Sequence, residues 1–362
     1  MKKRILAAGL VILMLSGCGM PNNVLKEYAK VLPSNNDDIT KIVTLEAGEP
    51  FASDLCVVSA ADNAAATPET EKVTEPESIL ETEEAEAPVD GQETEQPEST
   101  LEESQPDGDG ITATSALVFG MDDPQIVYYK NIYEPIAPAS ITKILTALMV
   151  LKYGNFSDET VLTDAVNISV PGAKLCGFRT GDTLTVEQLF YSLLVYSGND
   201  AANALAVYIS GSIPEFCRRM NEEAKALGAT STNFVNPNGL DEEGHYTTAY
   251  DLYLIFKECL KYDAFKDAIQ TKQYVCSYKR ADGSDVESVF NTTNLYVSGS
   301  YNSPGGITVH GGKTGTTENA GSCLILYDTD SSGKSYISLL LGNSDKEELY
   351  AQMNKLLSQI TN

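Results

Sequence analysis

Residues Pro138 to Met149 read PASITKILTALM, a proline and a small residue leading through Ser140 into a nearly unbroken apolar run. Such a run predicts a buried helix that opens near the serine, and a buried helix demands a core on all of its sides. Residues three apart share a helical face, so Ser140 and Lys143 should stand side by side. That placement has a chemical meaning. A serine hydroxyl is a poor nucleophile at neutral pH and needs an adjacent base, a role a desolvated lysine can fill. An ordinary lysine has a pKa of about 10.4, so keeping it neutral at pH 7 requires a drop of roughly three units, about 4 kcal/mol. Burial and a second nearby cation both push that way, and the rest of the chain is expected to bring such a cation to the pair.

The spacing alone carries little weight. Ser331 and Lys334 repeat it within DTDSSGKS, a glycine-containing turn between apolar strands, where the residues read as a solvated loop. Ser140 could equally be a helix N-cap beside an incidental lysine, so companions elsewhere in the chain have to decide.

With 362 residues, 42% of them hydrophobic, the chain can bury at least one full core and has room for two domains. A net charge of -26 argues against nucleic acid as a partner. The acid is concentrated: between Pro68 and Gly110 sixteen Asp or Glu residues face the single Lys72. The seven cysteines contain no C-x-x-C pair, and Cys176, Cys217, Cys259, Cys276 and Cys323 read as small buried apolar residues rather than a disulfide framework. Only two histidines exist, His245 and His310, so H-E-x-x-H zinc spacing is absent. A Ser-His-Asp hydrolase would need one of them, but no G-x-S-x-G elbow is present, and His310, beside a strand, reads as structural.

At the N-terminus Lys2, Lys3 and Arg4 precede an apolar run from Ile5 to Leu15, the layout of a secretory signal. As a helix that run is only about 16 Å long against roughly 30 Å of hydrocarbon, too short for a permanent span. It ends Leu15-Ser16-Gly17-Cys18, which resembles the lipobox of bacterial lipoproteins, where the cysteine is lipidated and becomes the new N-terminus. Two acyl chains suffice for stable anchoring, so residues 1–18 are expected to be a lipoprotein signal and the chain to sit on the outer face of the cytoplasmic membrane. Residues 19–110 turn to Pro, Glu, Thr, Ser and Gln and predict a solvated, self-repelling tether, interrupted at Leu55 to Val58 around Cys56.

From Thr114 the pattern becomes globular, and residues 111–362 are expected to form the catalytic domain. ATSALVFG and QIVYYK read as strands of a hairpin turning at Met121 to Pro124. Residues 158–235 read as mainly helical, with helices over 186–196 and 200–209 joined by the short connection Tyr196-Ser197-Gly198-Asn199. Another helix covers 250–260. Strands follow at 273–278, 307–311, 322–327 and 336–341, and an amphipathic helix covers 346–360. Strands at both ends around a helical insert predict an α/β fold, an antiparallel sheet flanked by helices plus an all-helical lobe.

Two further segments supply companions for Ser140. Ile307 to Gly315, ITVHGGKTG, is a β-branched strand ending in glycines around Lys313, and glycine there lets an extended peptide lie close along the strand edge. Lys313 offers the second cation, and with Thr314 it could hold a carboxylate. Ser-x-Asn is a weaker signal, because Ser34, Ser231 and Ser300 also begin one, but only the Ser197 copy sits in a tight helix-helix connection.

PASITK, YSGNDAANAL and HGGKTGT, in this order, resemble the three motifs of the penicillin-binding protein and serine β-lactamase superfamily. GFRTGDTLTVEQLFYSLL, MNEEAKALGATSTNFVNPNGL and HYTTAYDLYLIF extend the resemblance to the low-molecular-weight D-alanyl-D-alanine carboxypeptidases, peptidase family S11, over roughly residues 112–345. The resemblance implies a serine peptidase that removes the terminal D-Ala from peptidoglycan stem pentapeptides, is acylated by β-lactams and uses neither cofactor nor metal. It implies Ser140 as nucleophile, Lys143 as its base, Ser197 as proton relay to the leaving amine, and Asn199 as a ligand of the substrate peptide or of Lys143. Lys313 and Thr314, with Gly315 and Thr316, would bind the substrate; Lys313 would also depress the pKa of Lys143, and the N–H groups of Ser140 and Thr316 would form the oxyanion hole.

Departures from the family pattern matter as well. Many members add a β-rich domain and a C-terminal amphipathic anchor after the catalytic sheet; here Cys18 is expected to anchor the chain from the other end. Some also grip the carboxylate with an arginine after K-T-G, where alignment places Ser335 with Lys334 adjacent. A class A β-lactamase would need an E-x-x-L-N segment, which is absent between Ser197 and Lys313. A β-lactamase, a muropeptide endopeptidase and a non-catalytic β-lactam sensor are the alternatives on the same fold.

Overall fold

The structure, a computed structural model, describes residues 110–361. The signal 1–18 with Cys18, the interruption around Cys56, and the tether 19–110 but for its last residue lie outside the described residues. In chain order the elements are β1 (Ser115–Gly120), β2 (Gln125–Lys130), α1 (Lys143–Tyr153), β3 (Glu159–Val161), β4 (Thr183–Thr185), α2 (Val186–Tyr191), α3 (Asn199–Ser210), α4 (Ile213–Ala226), α5 (Ala249–Cys259), α6 (Asp263–Gln270), β5 (Gln273–Lys279), β6 (Asp285–Asn291), α7 (Leu295–Ser298), β7 (Ile307–Thr317), β8 (Gly321–Asp330), β9 (Ser335–Asn343) and α8 (Lys346–Leu357).

The main sheet is antiparallel and runs β2-β1-β9-β8-β7, which leaves β7 on an edge. Its central strands are mostly apolar because both faces are covered, with Asp328 of β8 and Ser338 of β9 buried among the apolar residues. On β8 and β9, Cys323, Ile325, Ile337, Leu339 and Leu341 point into one core shared with the helical lobe. Leu324, Leu326 and Leu340 point the other way, onto Leu349, Tyr350, Met353 and Leu356 of α8. At the centre of the first core lies α1, whose residues 143–150 are all buried. The apolar run required this: a helix with no polar face has no side to give to water.

Several local expectations differ from what is found. The span read as mainly helical opens with β3 and β4, which join β5 and β6 in a second antiparallel sheet, β3-β4-β5-β6. The strand at 273–278 belongs to that sheet rather than the main one. Its hairpin partner β6, DVESVFN, is mostly exposed and alternates only weakly, so its sequence carries little strand signal. The strand expected at 307–311 runs on to Thr317, because the ladder to β8 fixes the glycines that would otherwise read as a loop. Two short helices are also unforeseen, α7 and α6, the latter packing Phe265 against Phe256 of α5, ring centroids 5.6 Å apart. Cys217, Cys259, Cys276 and Cys323 are buried free thiols, and Cys176 is half-buried and also free.

Candidate active site

Ser140 lies in a single 3-10 turn, Ala139–Thr142, that feeds directly into α1. In a 3-10 turn side chains at i and i+3 eclipse one another, and Lys143 Nζ donates to Ser140 Oγ at 2.8 Å. The residue before the serine is strained: Ala139 has φ +47, a left-handed conformation that costs a non-glycine residue about 1–3 kcal/mol. A chain of bonds holds it there. Val235 N–H donates to His245 Nδ1 at 3.1 Å, so the imidazole proton is on Nε2, which donates to Thr142 Oγ1 at 2.9 Å; that hydroxyl donates to the Ala139 carbonyl at 2.8 Å. Burial pushes the His245 pKa down to about 4, which keeps the ring a neutral donor. Gly239 closes the turn from below, where a Cβ would lie 1.8 Å from the Ala139 carbonyl oxygen.

Lys143 is fully buried, and its Nζ donates to Asn199 Oδ1 at 2.6 Å and to the Asn238 carbonyl. Burial is the main reason its pKa falls to about 7; Cys176 and Asp200 work against the fall, and the Lys174 ammonium adds to it. Lys174 is thus a further cation near Lys143, beside the Lys313 expected from the sequence. Lys143 and Lys313 also repel one another's charged forms, and burial, Lys143 and Lys174 together hold the Lys313 pKa well below the usual lysine range.

Ser197 arrives on a separate device. Thr185 and Gln188 form a capping box that starts α2, and the helix then widens into a π turn over Ser192–Tyr196. The turn ends with Ser197 in the left-handed region at φ +72, immediately before α3 opens at Asn199. From the edge strand, Lys313 Nζ donates to Ser197 Oγ at 2.8 Å and to its neighbour's carbonyl, Thr314 O, at 2.7 Å. Gly315 lets β7 pass the nucleophile: a Cβ there would sit 3.0 Å from Ser140 N and from Ala139 Cβ. Three separate segments thus meet. Ser140, Ser197, Asn199, Thr314, Gly315 and Thr316 all line one cleft of about 300 Å³, and Lys143 and Lys313 reach its walls from buried positions.

The charged side chains lining the cleft are Lys174, in the loop between β3 and β4, and Lys346, the first residue of α8. Lys174 Nζ lies 4.3 Å from the centroid of the Tyr196 ring. Ser335, aligned with the carboxylate-gripping position, lies elsewhere. It pairs with Thr329 and bonds Asp122 and Met121 at the hairpin end of the sheet, while Thr316 pairs with Ser322 at the other end. The basic group near the K-T-G segment is Lys346. Sequence does mark it faintly, because a cation at a helix N-terminus opposes the helix dipole; Lys174 carries no such mark. His310 bonds Thr329 at 2.9 Å, a structural role. Among the described residues, no cluster of three His, Cys, Asp or Glu side chains could hold a metal ion.

A family model described as D-alanyl-D-alanine carboxypeptidase matches residues 100–345, well over half of the chain. The chain belongs to this family. The D-alanyl-D-alanine carboxypeptidase DacF of Bacillus subtilis (strain 168) is 35% identical over 249 residues, covering 68% of this chain and 61% of that protein. DacC of Escherichia coli (strain K12) is 31% identical over 241 residues, covering 63% and 56%. The carboxypeptidase-family chain described here therefore spans less than two thirds of the length of either relative. Among solved structures, the Streptomyces K15 DD-transpeptidase superposes with a TM-score of 0.63 at 28% identity, covering 68% of this chain and 96% of its own. The family fold, an antiparallel sheet flanked by helices with a helical lobe, is the one described above.

Proposed function

We propose that the chain is a serine D-Ala-D-Ala carboxypeptidase that trims peptidoglycan stem pentapeptides and is acylated by β-lactams at Ser140. One observation carries the reading: a buried lysine with its pKa near 7 has its Nζ 2.8 Å from a serine hydroxyl oxygen, at the floor of a cleft along an edge strand. The substrate lies antiparallel to β7 as an added strand, its terminal carboxylate held by Thr314, Thr316 and the lysine-lined rim. Neutral Lys143 takes the Ser140 proton, and Oγ attacks the penultimate D-Ala carbonyl. The N–H groups of Ser140 and Thr316 receive the oxyanion. Ser197 accepts a hydrogen bond from Lys313, which leaves its own hydroxyl hydrogen to protonate the leaving D-Ala amine, and the proton that Lys143 took from Ser140 replaces it, so that Lys143 is neutral again. Water, deprotonated in turn by Lys143, then cleaves the ester.

Incubation with diacetyl-L-Lys-D-Ala-D-Ala tests this directly. Wild type should release D-Ala and Ser140→Ala should not; stoichiometric penicillin labelling without D-Ala release would instead make the protein a β-lactam sensor. Rapid turnover of the penicillin adduct would favour a β-lactamase, and cleavage of cross-linked muropeptides over pentapeptides an endopeptidase. The K15 neighbour bears the name DD-transpeptidase, so adding glycylglycine to the assay distinguishes transfer to an amine from hydrolysis.

The N-terminal pattern supports lipid anchoring at Cys18 on the outer face of the cytoplasmic membrane, with residues 19–110 as a tether reaching toward the wall. Cys18→Ala should move the protein out of the membrane fraction, and unchanged retention there would refute the anchor.

A further inference from the structure

The three motifs leave unexplained why the Lys143 amine points where it does. A neutral amine has two hydrogens and one lone pair, and only the lone pair can take the serine proton. Two carbonyl oxygens lie within bonding reach of Nζ besides Ser140 Oγ. One is Asn199 Oδ1; the other is the backbone carbonyl of Asn238, in the loop between α4 and α5. If those two accept the two hydrogens, the lone pair is left facing Ser140.

The Asn238 carbonyl is itself clamped. Its side-chain Nδ2 donates to Asn203 Oδ1 at 3.0 Å, and its Oδ1 accepts from Leu240 N at 2.9 Å. On one side the Pro237 carbonyl accepts from Thr146 Oγ1 of α1 at 2.6 Å; on the other Gly239 N donates to Asn236 Oδ1 at 2.8 Å. Asn203 is fixed in turn by donating to the Ala165 carbonyl at 2.8 Å. Asn199 and Asn203 are four apart on α3 and so share one face of that helix. A single helix face therefore controls both acceptors, one directly and one through the loop.

We propose that Asn203 and Asn238 are positioning residues: their amide pair fixes the Asn238 carbonyl so that the lone pair of neutral Lys143 faces the Ser140 hydroxyl. This rests on the serine-hydrolase reading but adds a claim about the free protein. An oxygen acceptor binds an ammonium more strongly than an amine, so the same contact favours the charged form of Lys143. Losing it should lower the Lys143 titration while making the base less effective, two effects that a general loss of structure does not combine. The other ionisable groups facing Lys143 are Asp200 on α3, Cys176 and Lys174 in the loop between β3 and β4, His245 and Lys313; none of these is substituted in the test.

The experiment uses wild type, Asn203→Leu and Asn203→Asp, with lysine labelled by carbon-13 at Cε to follow the Lys143 titration without substrate. Acylation by a chromogenic cephalosporin is then measured against pH. Asn203→Leu should titrate about half a unit to one unit lower, and its plateau acylation rate should fall roughly tenfold to a hundredfold. Asn203→Asp keeps the oxygen that Asn238 Nδ2 bonds, gives up the bond to the Ala165 carbonyl and, when ionised, adds a negative charge, so its plateau should fall clearly less than that of Asn203→Leu and its titration should not fall. Asn203→Ala removes the same oxygen with less steric demand and stands in if Asn203→Leu does not fold. Wild-type behaviour in Asn203→Leu or Asn203→Ala overturns the proposal, and so does an aspartate variant as impaired as the leucine one. A lysine that titrates as described in a protein that no β-lactam acylates would reject the hydrolase reading and leave the positioning claim standing.

Discussion

Ser140 with Lys143 and Ser331 with Lys334 have the same spacing in one chain, and their surroundings could hardly differ more. Lys143 is fully buried in the first turn of the central helix, with three oxygens around its Nζ. Lys334 is exposed in the turn between β8 and β9, which is held together by Asp330 accepting from Ser332 and from the Lys334 backbone. What separates them is desolvation. In water a lysine keeps its proton and can only be a cation; without water it can lose the proton and become a base. The serine follows the lysine, because its nucleophilicity is borrowed from that base.

The largest effects should come from substituting the same residue in each pair. Ser140→Ala or Lys143→Ala should cut penicillin acylation by on the order of a thousandfold or more, while Ser331→Ala and Lys334→Ala should leave it within about twofold. Equal losses from both pairs would break the distinction.

Next come the glycines beneath each turn, both at positive φ. Gly239→Ala meets the Ala139 carbonyl, whereas Gly333→Ala meets nothing within 4 Å. The first should cost roughly 3 to 5 kcal/mol, from left-handed strain and overpacking together, and the second about 1 to 2 from strain alone. Urea unfolding of the two variants measures the difference, and equal costs would mean that the catalytic turn is no tighter than the solvent turn.

His245 sharpens the comparison through pH. Its folded pKa of about 4 lies below its ordinary 6.5, so the unfolded chain binds the proton more readily. Stability from this group is complete above about pH 6.5 and is lost as pH falls toward 4, by up to about 3 kcal/mol. Denaturation series at stepped pH should show that loss in wild type and a shallower one in His245→Asn. Identical slopes would remove His245 from the support of the strained turn.

The smallest expected effect concerns two exposed lysines. Lys346→Gln should raise KM for a peptide with a free terminal carboxylate by about fivefold, the worth of one exposed ionic contact, with kcat nearly unchanged. Lys334→Gln should change neither, and a matching rise there would point to a general loss of positive charge rather than a rim contact.

Much of the fold was legible in the chain. The α1 run, the strands of the main sheet and the closing helix all carry strong apolar patterns, because each faces a core. The β6 hairpin partner was not, since it lies on a half-exposed sheet where side chains have little to bury. The same division holds in the site. Ser140, Lys143, Ser197, Asn199, Lys313 and Thr314 act through side chains that only their residue types provide. Lys174 and Lys346 escaped because an exposed lysine looks alike whether or not a cleft lies beside it.

Residue order alone determined which chemical groups are available: one hydroxyl with an amine three places on, a serine-asparagine connection and a glycine-flanked lysine. Tertiary structure decided which amine loses its water and which direction it faces. The carbonyl that orients Lys143 belongs to the backbone of Asn238. Every residue has such a carbonyl, so no choice of amino acid can announce it, and only the packing of one loop under α1 brings it to the lysine.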